Sequence, residues 1–330
     1  MRIPNAAAAP KPISSFIKCI GKYWDGWAYV YQQIQYTRRF TMGYKLGAIP
    51  TDILKDDFEQ ALALMEEDGL EYADVESVFG KIPGTHSDAE HEQIKILLDQ
   101  HHIKARCIGG FTFRNQSLWT IEVGDEQYRK TMDELKRQIE LAHLLDCPMI
   151  RTLVFSKQAC IWGGDGAEKR NGYNNTSWPK MLKLFERPLQ MVEDAGLDLV
   201  FETGVNTVLT SGWLSRKFVE DMGSTHLKVL WDPANMLINR EYPPMVYAEI
   251  KDIIAHVHIK DGIYDANTST ITATAVGSGD MTEYMADIAR NLKRDNYQGV
   301  ISIENFYIPS GQTTKEGYRA GVDVFKSIFA

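Results

Sequence analysis

Two hydrophobic periods alternate along this chain from about residue 43 to its end. Short apolar runs rich in β-branched and aromatic residues read as buried strands. Longer stretches, in which apolar residues recur every three or four positions, read as amphipathic helices. Strands are expected at 44–49, 72–78, 103–108 and 148–155. Helices are expected at 52–68, 86–101, 125–145 and 178–195, the first with Leu54, Phe58, Leu62 and Met65 on one stripe.

The second half repeats the alternation with one addition. Leu197-Asp198-Leu199-Val200-Phe201 ends in Glu202, and Leu227-Lys228-Val229-Leu230-Trp231 ends in Asp232. Ile253-Ile254-Ala255-His256-Val257 ends in His258, and Val300-Ile301-Ser302-Ile303 ends in Glu304. Helices are expected at 208–222, 244–250, 281–296 and 314–329. Continuously apolar strands joined by helices predict a parallel sheet covered on its outer face. Repeated eight times, the pattern predicts an α/β (β/α)8 TIM barrel, whose site is built by the loops after the strand C-termini. A doubly wound open sheet is the rival. It brings a Gly-rich first turn, and Ile49-Pro50-Thr51-Asp52 is not one.

In a barrel the four strand-ending residues meet at one mouth. Three carboxylates and one imidazole suit a divalent ion that keeps positions open for substrate oxygens. With no thiolate in the set, Mn²⁺, Mg²⁺ or Co²⁺ is expected, and Zn²⁺ is also compatible. Such an ion acidifies a C–H beside the oxygens it polarises. Glu202 and Glu304, one on each side, are placed to take and return the proton. His256 lies two residues before His258 and shares its inward side one layer deeper. Lys260 and Asp261 stand at the mouth of the same strand, where substrate is expected. Glu76 and Arg151 fall inside strands two and four. A charge there needs a partner, either each other or substrate. Phe111, Phe113, Trp162 and Trp178 are read either as an apolar wall or as ordinary packing. His101-His102 ends a helix, where a basic group offsets the dipole.

Composition narrows the function. The chain has 330 residues, 44% hydrophobic, and a formal net charge of −8, which speaks against a general binder of nucleic acid or anionic membrane. There is no apolar run of about 18 residues to span a membrane, and the first residues lack a signal-peptide core. Cys19, Cys107, Cys147 and Cys160 form no close pair, the expectation being reduced cysteines in a cytoplasmic protein.

Residues 1–42 lie outside the strand–helix count and are expected to form a helical extension to a barrel of residues 43–330. Phe16, Ile20, Tyr23, Trp24, Trp27, Val30, Tyr31 and Ile34 recur at helical spacing over 14–36. The stripe reads as a cap on the bottom or side of the barrel or, since exposed Trp and Tyr favour interfaces, as the contact of a homo-oligomer. It lacks the basic opposite face of a membrane-surface helix. Two long connections, 156–177 and 262–280, follow strand ends and are expected to wall the pocket. Gly163-Gly164-Asp165-Gly166 has neither a preceding strand nor a GK[ST] ending, so it is not read as a phosphate cradle.

Phe201-Glu202-Thr203-Gly204, Trp231-Asp232-Pro233-Ala234-Asn235-Met236, His256-Val257-His258-Ile259-Lys260-Asp261-Gly262 and Ile303-Glu304-Asn305 resemble the xylose-isomerase-like TIM barrels. That sugar phosphate isomerase/epimerase superfamily includes ketose 3-epimerases, hydroxypyruvate isomerases, inosose dehydratases and endonuclease IV. Val276-Gly277-Ser278-Gly279-Asp280-Met281 and Tyr297-Gln298-Gly299-Val300 resemble the segment before its last strand, so the similarity covers about residues 43–330. The resemblance implies Glu202, Asp232, His258 and Glu304 as metal ligands, with Glu202 and Glu304 as the acid/base pair of an isomerase or epimerase on a ketose or keto-sugar. Asn235 stands where ketose epimerases carry a substrate-binding histidine, and Tyr264 where they carry an arginine. Substrate contacts are expected from Asn235, His256, Lys260, Asp261, Glu76 and Arg151. The alternative is a lyase of the same superfamily, either a C-glycoside deglycosidase on 3-oxo-glycosides or an inosose dehydratase-like eliminase. The deglycosidase version implies a small β-rich partner subunit. An endonuclease IV-like enzyme needs extra histidines from the early strands and a cationic DNA face. Strands one to three end without histidine, and no nucleic-acid partner is expected.

Overall fold

Backbone groups buried in an apolar run must find hydrogen-bond partners, and parallel neighbours supply them here until the ring closes. In the computed structural model, which describes residues 43–157, 177–265, 267, 268 and 270–330 and only the backbone of Phe111, eight parallel strands form a closed barrel. They are β1 (Lys45–Ala48), β2 (Tyr72–Val75), β3 (Lys104–Thr112), β4 (Met149–Thr152), β5 (Asp198–Glu202), β6 (Leu227–Trp231), β7 (Ile254–Ile259) and β10 (Val300–Ile303). They stand in chain order around the ring, and β10 pairs with β1. The expected (β/α)8 barrel is therefore the observed fold. The aromatic stripe of 14–36, Cys19, Cys160, Trp162 and the glycines at 163–166 lie outside the described residues.

The helices are α1 (Pro50–Ile53), α2 (Phe58–Glu67), α3 (Asp88–Gln100), α4 (Glu126–Leu144), α5 (Ser177–Asp194), α6 (Gly212–Met222), α7 (Pro233–Ile238), α8 (Pro243–Ile250), α9 (Thr282–Arg294) and α10 (Thr314–Phe329). α9 shows why they lie on the barrel. Met285, Ile288, Ala289 and Leu292 form its buried stripe, and each large side chain buried contributes about 1.5–3 kcal/mol. Among the described residues no helix is long and apolar enough to cross a membrane.

Strands two and four end three residues earlier than expected and strand three runs four residues further, and three other elements differ for a local reason. The single helix at 52–68 is two, because Asp57 caps α2 by accepting from the Gln60 N–H at 2.9 Å. The helix at 244–250 starts one residue earlier and is preceded by the separate turn α7, which Pro233 opens. The connection 262–280 is no plain loop: β8 (Asp261–Asp265) and β9 (Thr270–Thr274) form an antiparallel hairpin there.

Two glycines set the barrel's inner spacing. A methyl on Gly47 would lie 2.6 Å from the Tyr72 carbonyl and 2.7 Å from Ser302 Oγ, so β1 fits between β2 and β10 only with hydrogen there. A methyl on Gly109 would strike Glu76 Cγ, so this glycine of β3 makes room for a charged side chain. Deeper inside, Cys107, Met149, Val200 and Leu230 make an apolar floor.

Candidate metal centre

β5 ends on Glu202, Asp232 follows β6, His258 is the penultimate residue of β7 and Glu304 follows β10. Ser302 of β10 pairs with His258 of β7, so Glu304 and Lys260, each two residues further on, share that inward side. All four expected ligands are buried, at 7% exposure or less. Donor atoms of Glu202, His258 and Glu304 lie within 4.8 Å of one another.

His258 gives this trio its direction. Its Nε2 faces Asp74 Oδ2 at 3.1 Å, whereas its Nδ1 makes no hydrogen bond and lies 3.9 Å from Glu304 Oε2. A ring nitrogen turned toward carboxylates in a buried site, once a metal has displaced its proton, completes the donor set of a divalent ion. Asp232 stands apart from the trio. Its Oδ1 accepts from the Ala234 and Asn235 N–H groups at 3.0 and 3.2 Å, capping α7. Its Oδ2 carries the Lys260 ammonium, which also lies 2.7 Å from Glu304 Oε2. A ligating role for Asp232 therefore runs through an oxygen it shares with Lys260. The Phe306 ring, 5.0 Å from that ammonium, lies at the mouth.

Arg151 and Glu76 are mutual partners, and the same Arg151 NH1 reaches Glu202 Oε2 at 3.2 Å. Asn235 Nδ2 donates to Glu202 Oε1 at 3.2 Å. Two expected substrate contacts are engaged elsewhere. His256 is fully buried, its Nδ1 against the Val300 carbonyl at 3.0 Å and its Nε2 against Asp74 Oδ2 at 2.8 Å. Asp261 spends both oxygens on the segment after the hairpin, accepting from the Gly277, Gly279 and Met281 N–H groups and from Thr282 Oγ1. These two residues support the site from behind, because backbone N–H groups of a tight loop need acceptors. Phe113 is likewise core, stacked on Phe155 at 4.6 Å, and Trp178 donates to Asp221 at 2.6 Å. Tyr264, on the hairpin, accepts from Arg240 Nε at 3.2 Å. Across the barrel, a cavity of about 380 Å³ opens among the strand N-termini, lined by Arg106, Met149 and Lys228, away from the acids.

Two acids of the cluster escape notice in the sequence. Asp74 sits mid-strand, and its signal, a charge inside an apolar run two residues before Glu76, is easily read as part of the strand's solvent face. Asp52 sits on α1. Burial and the charges of Glu76 and Glu304 push its carboxyl well above the ordinary range.

Electrostatics divide the acids. Burial raises Glu304, but the Lys260 ammonium and His258 outweigh it and hold the carboxyl below its usual value. Burial pushes Asp232 up to about 7 against the pull of Lys260. Burial lowers His258, yet its hydrogen bond to Asp74 and the charges of Asp74, Glu304 and Glu202 push the ring up to about 9. A folded-state value above the ordinary 6.5 means that the imidazolium's contribution to stability is complete below pH 6.5 and is lost as pH rises through about 9. In EDTA-treated protein the urea midpoint is therefore expected to fall across that window. A midpoint that is flat or rising there would refute the assignment.

A buried trio of two carboxylates and an imidazole, donors of the kind that can hold a divalent ion, stands at the C-terminal mouth of a parallel barrel, where such barrels carry their active sites. The chain belongs to the xylose isomerase-like TIM barrel family, whose pattern matches residues 62–328. Among solved structures it is similar to the IolI protein with a binding zinc atom, at 15% identity and a TM-score of 0.67, covering 86% of this chain and 98% of that one. It is similar to the 3-keto-D-glucoside 4-epimerase YcjR from E. coli, at 15% identity and a TM-score of 0.61, with the same coverage. The probable 3-DHS dehydratase AsbF from Bacillus anthracis superposes at 14% identity and a TM-score of 0.62, covering 86% and 98%. No curated protein matches the chain.

Proposed function

We propose that this chain is a divalent-metal-dependent isomerase or epimerase that removes and returns a proton beside the carbonyl of a ketose or keto-sugar. One observation carries the reading: the donor atoms of Glu202, His258 and Glu304 converge within 4.8 Å, and His258 Nδ1 is without a hydrogen-bond partner among the described residues. These three would hold the ion, with Asp232 joining through Oδ2. Mn²⁺ is the ion proposed first, and the zinc in the IolI structure keeps Zn²⁺ among the alternatives. Bound there, such an ion supplies Lewis-acid polarisation of the substrate carbonyl.

The chain's own residues divide the rest of the work. Glu304, held ionised by Lys260, is the base that takes the α-proton. Glu202, in contact with Arg151 on one oxygen and Asn235 on the other, is the partner on the opposite face: it enters the turnover carrying the proton it delivers, and exchange with solvent at the mouth resets both carboxyls afterwards. Lys260 stays beside the developing oxyanion as a fixed positive charge. Phe306 offers an apolar face to a sugar ring at the mouth.

A second reading has support of its own. Asn235 and Tyr264 occupy the positions where ketose epimerases carry histidine and arginine, which favours a lyase. There the same proton removal is followed by loss of a β-substituent. The fold shared with an epimerase and a dehydratase accommodates both outcomes. A homo-oligomer, a β-rich partner subunit for the deglycosidase version and a cytoplasmic location belong to the same proposal. The test is incubation of metal-loaded protein with ketoses and with 3-oxo-glycosides in heavy water. Deuterium in recovered sugar is the expected result, and release of water or an aglycone would select the lyase. Neither event with any of these substrates would sink both readings.

A further inference from the structure

Resting on that metal-centre reading, we propose that Asp74 is its positioning residue: it accepts the Nε2 proton of His258 from across the barrel and so reserves Nδ1 for the ion. Metal binding takes one proton from the His258 imidazolium; the neutral ring that remains carries one proton, and in isolation either nitrogen can hold it. A proton on Nδ1 would point at Glu202 and Glu304 and close the site to a cation. Asp74 Oδ2, 3.1 Å from Nε2, can only accept, so the proton belongs on Nε2. Its negative charge also makes the free nitrogen a stronger donor, as carboxylates behind metal-binding histidines do.

The geometry makes this specific. Asp74 is on β2 and His258 on β7, which do not adjoin in the ring, so the contact bridges the lumen. The carboxylate is 1% exposed and beyond the reach of solvent. Oδ2 also meets His256 Nε2 at 2.8 Å, and His256 is itself fixed by the Val300 carbonyl. The two rings stand nearly perpendicular, 82° apart, with centroids separated by 5.1 Å. His256 thus wedges the carboxylate so that its oxygen faces His258. Oδ1 meanwhile has no hydrogen-bond partner, a cost in a buried carboxylate that filling space alone would not require.

The experiment measures Mn²⁺ dissociation constants by equilibrium dialysis for the full chain, Asp74→Asn, Asp74→Ser and, as a ligand control, Glu202→Gln. Far-UV circular dichroism checks the fold of each. The Asp74 variants are expected to bind about 10–100-fold more weakly. Two-bond ¹H–¹⁵N spectra of the histidine-labelled, Zn²⁺-loaded wild type need no variant and should show the His258 proton on Nε2. Unchanged affinity in both Asp74 variants beside a weakened Glu202→Gln would overturn the positioning role and leave the centre standing. So would a His258 proton on Nδ1. Two ions per chain, one of them lost with Asp74, would make Asp74 a ligand and overturn it too. Failure of the wild type to bind at all, or of Glu202→Gln to weaken binding, would instead remove the centre itself.

Discussion

Glutamine in place of Glu304 is expected to lower turnover of the metal-loaded protein by about 10³-fold or more, while leaving the barrel folded. Glutamine keeps the shape of the side chain, and its carbonyl oxygen can still accept from the Lys260 ammonium that lies 2.7 Å from the carboxylate now. It loses the charge and the ability to hold a proton. A base in this position has to be ionised although buried, and the Lys260 ammonium keeps it so. Deuterium incorporation should fall in step with turnover, because both need the same abstraction. Turnover equal to wild type, with the fold intact, would instead make the acid a structural group and assign the proton transfer elsewhere.

Methionine in place of Arg151 is expected to destabilise the protein by about 3–5 kcal/mol, the range for stripping one partner from a buried ion pair. One guanidinium nitrogen meets both Glu76 and Glu202, and Arg151 is 3% exposed. Without it, Glu76, just after β2, and Glu202, at the end of β5, are two buried carboxylates with their shared cation gone. Urea titration at neutral pH reads the loss, and adding Glu76→Gln should recover part of it by removing one of the two charges. This result separates the roles the sequence leaves open. If Arg151 serves substrate alone, stability stays within about 0.5 kcal/mol of wild type and KM rises instead.

The site was legible in the sequence to different depths. Glu202, Asp232, His258 and Glu304 announce themselves because each follows a run whose composition already marks a strand end, and a parallel barrel collects strand ends at one mouth. Glu76 and Arg151 were visible as charges in need of a partner. That the partner is each other, with Glu202 added, depends on β2, β4 and β5 all turning the right residues inward. Asp261 illustrates the opposite outcome. It lies within two residues of strand β7, in the motif that carries His258, yet the turn after the hairpin claims both its oxygens. A one-residue step along a strand reverses the side chain's direction, so adjacency in the motif says little about shared purpose.

By itself, then, the sequence determined the barrel, the order of its strands and the donors at its mouth, since all three follow from local period and from which residue ends each run. Tertiary structure alone decided the pairings among those donors. Asp74 meets His258 over a separation of 184 residues, and Lys260 ties Asp232 to Glu304. Such partners are chosen by ring closure, which brings non-adjacent strands face to face across a lumen. No pattern confined to one strand carries that distance.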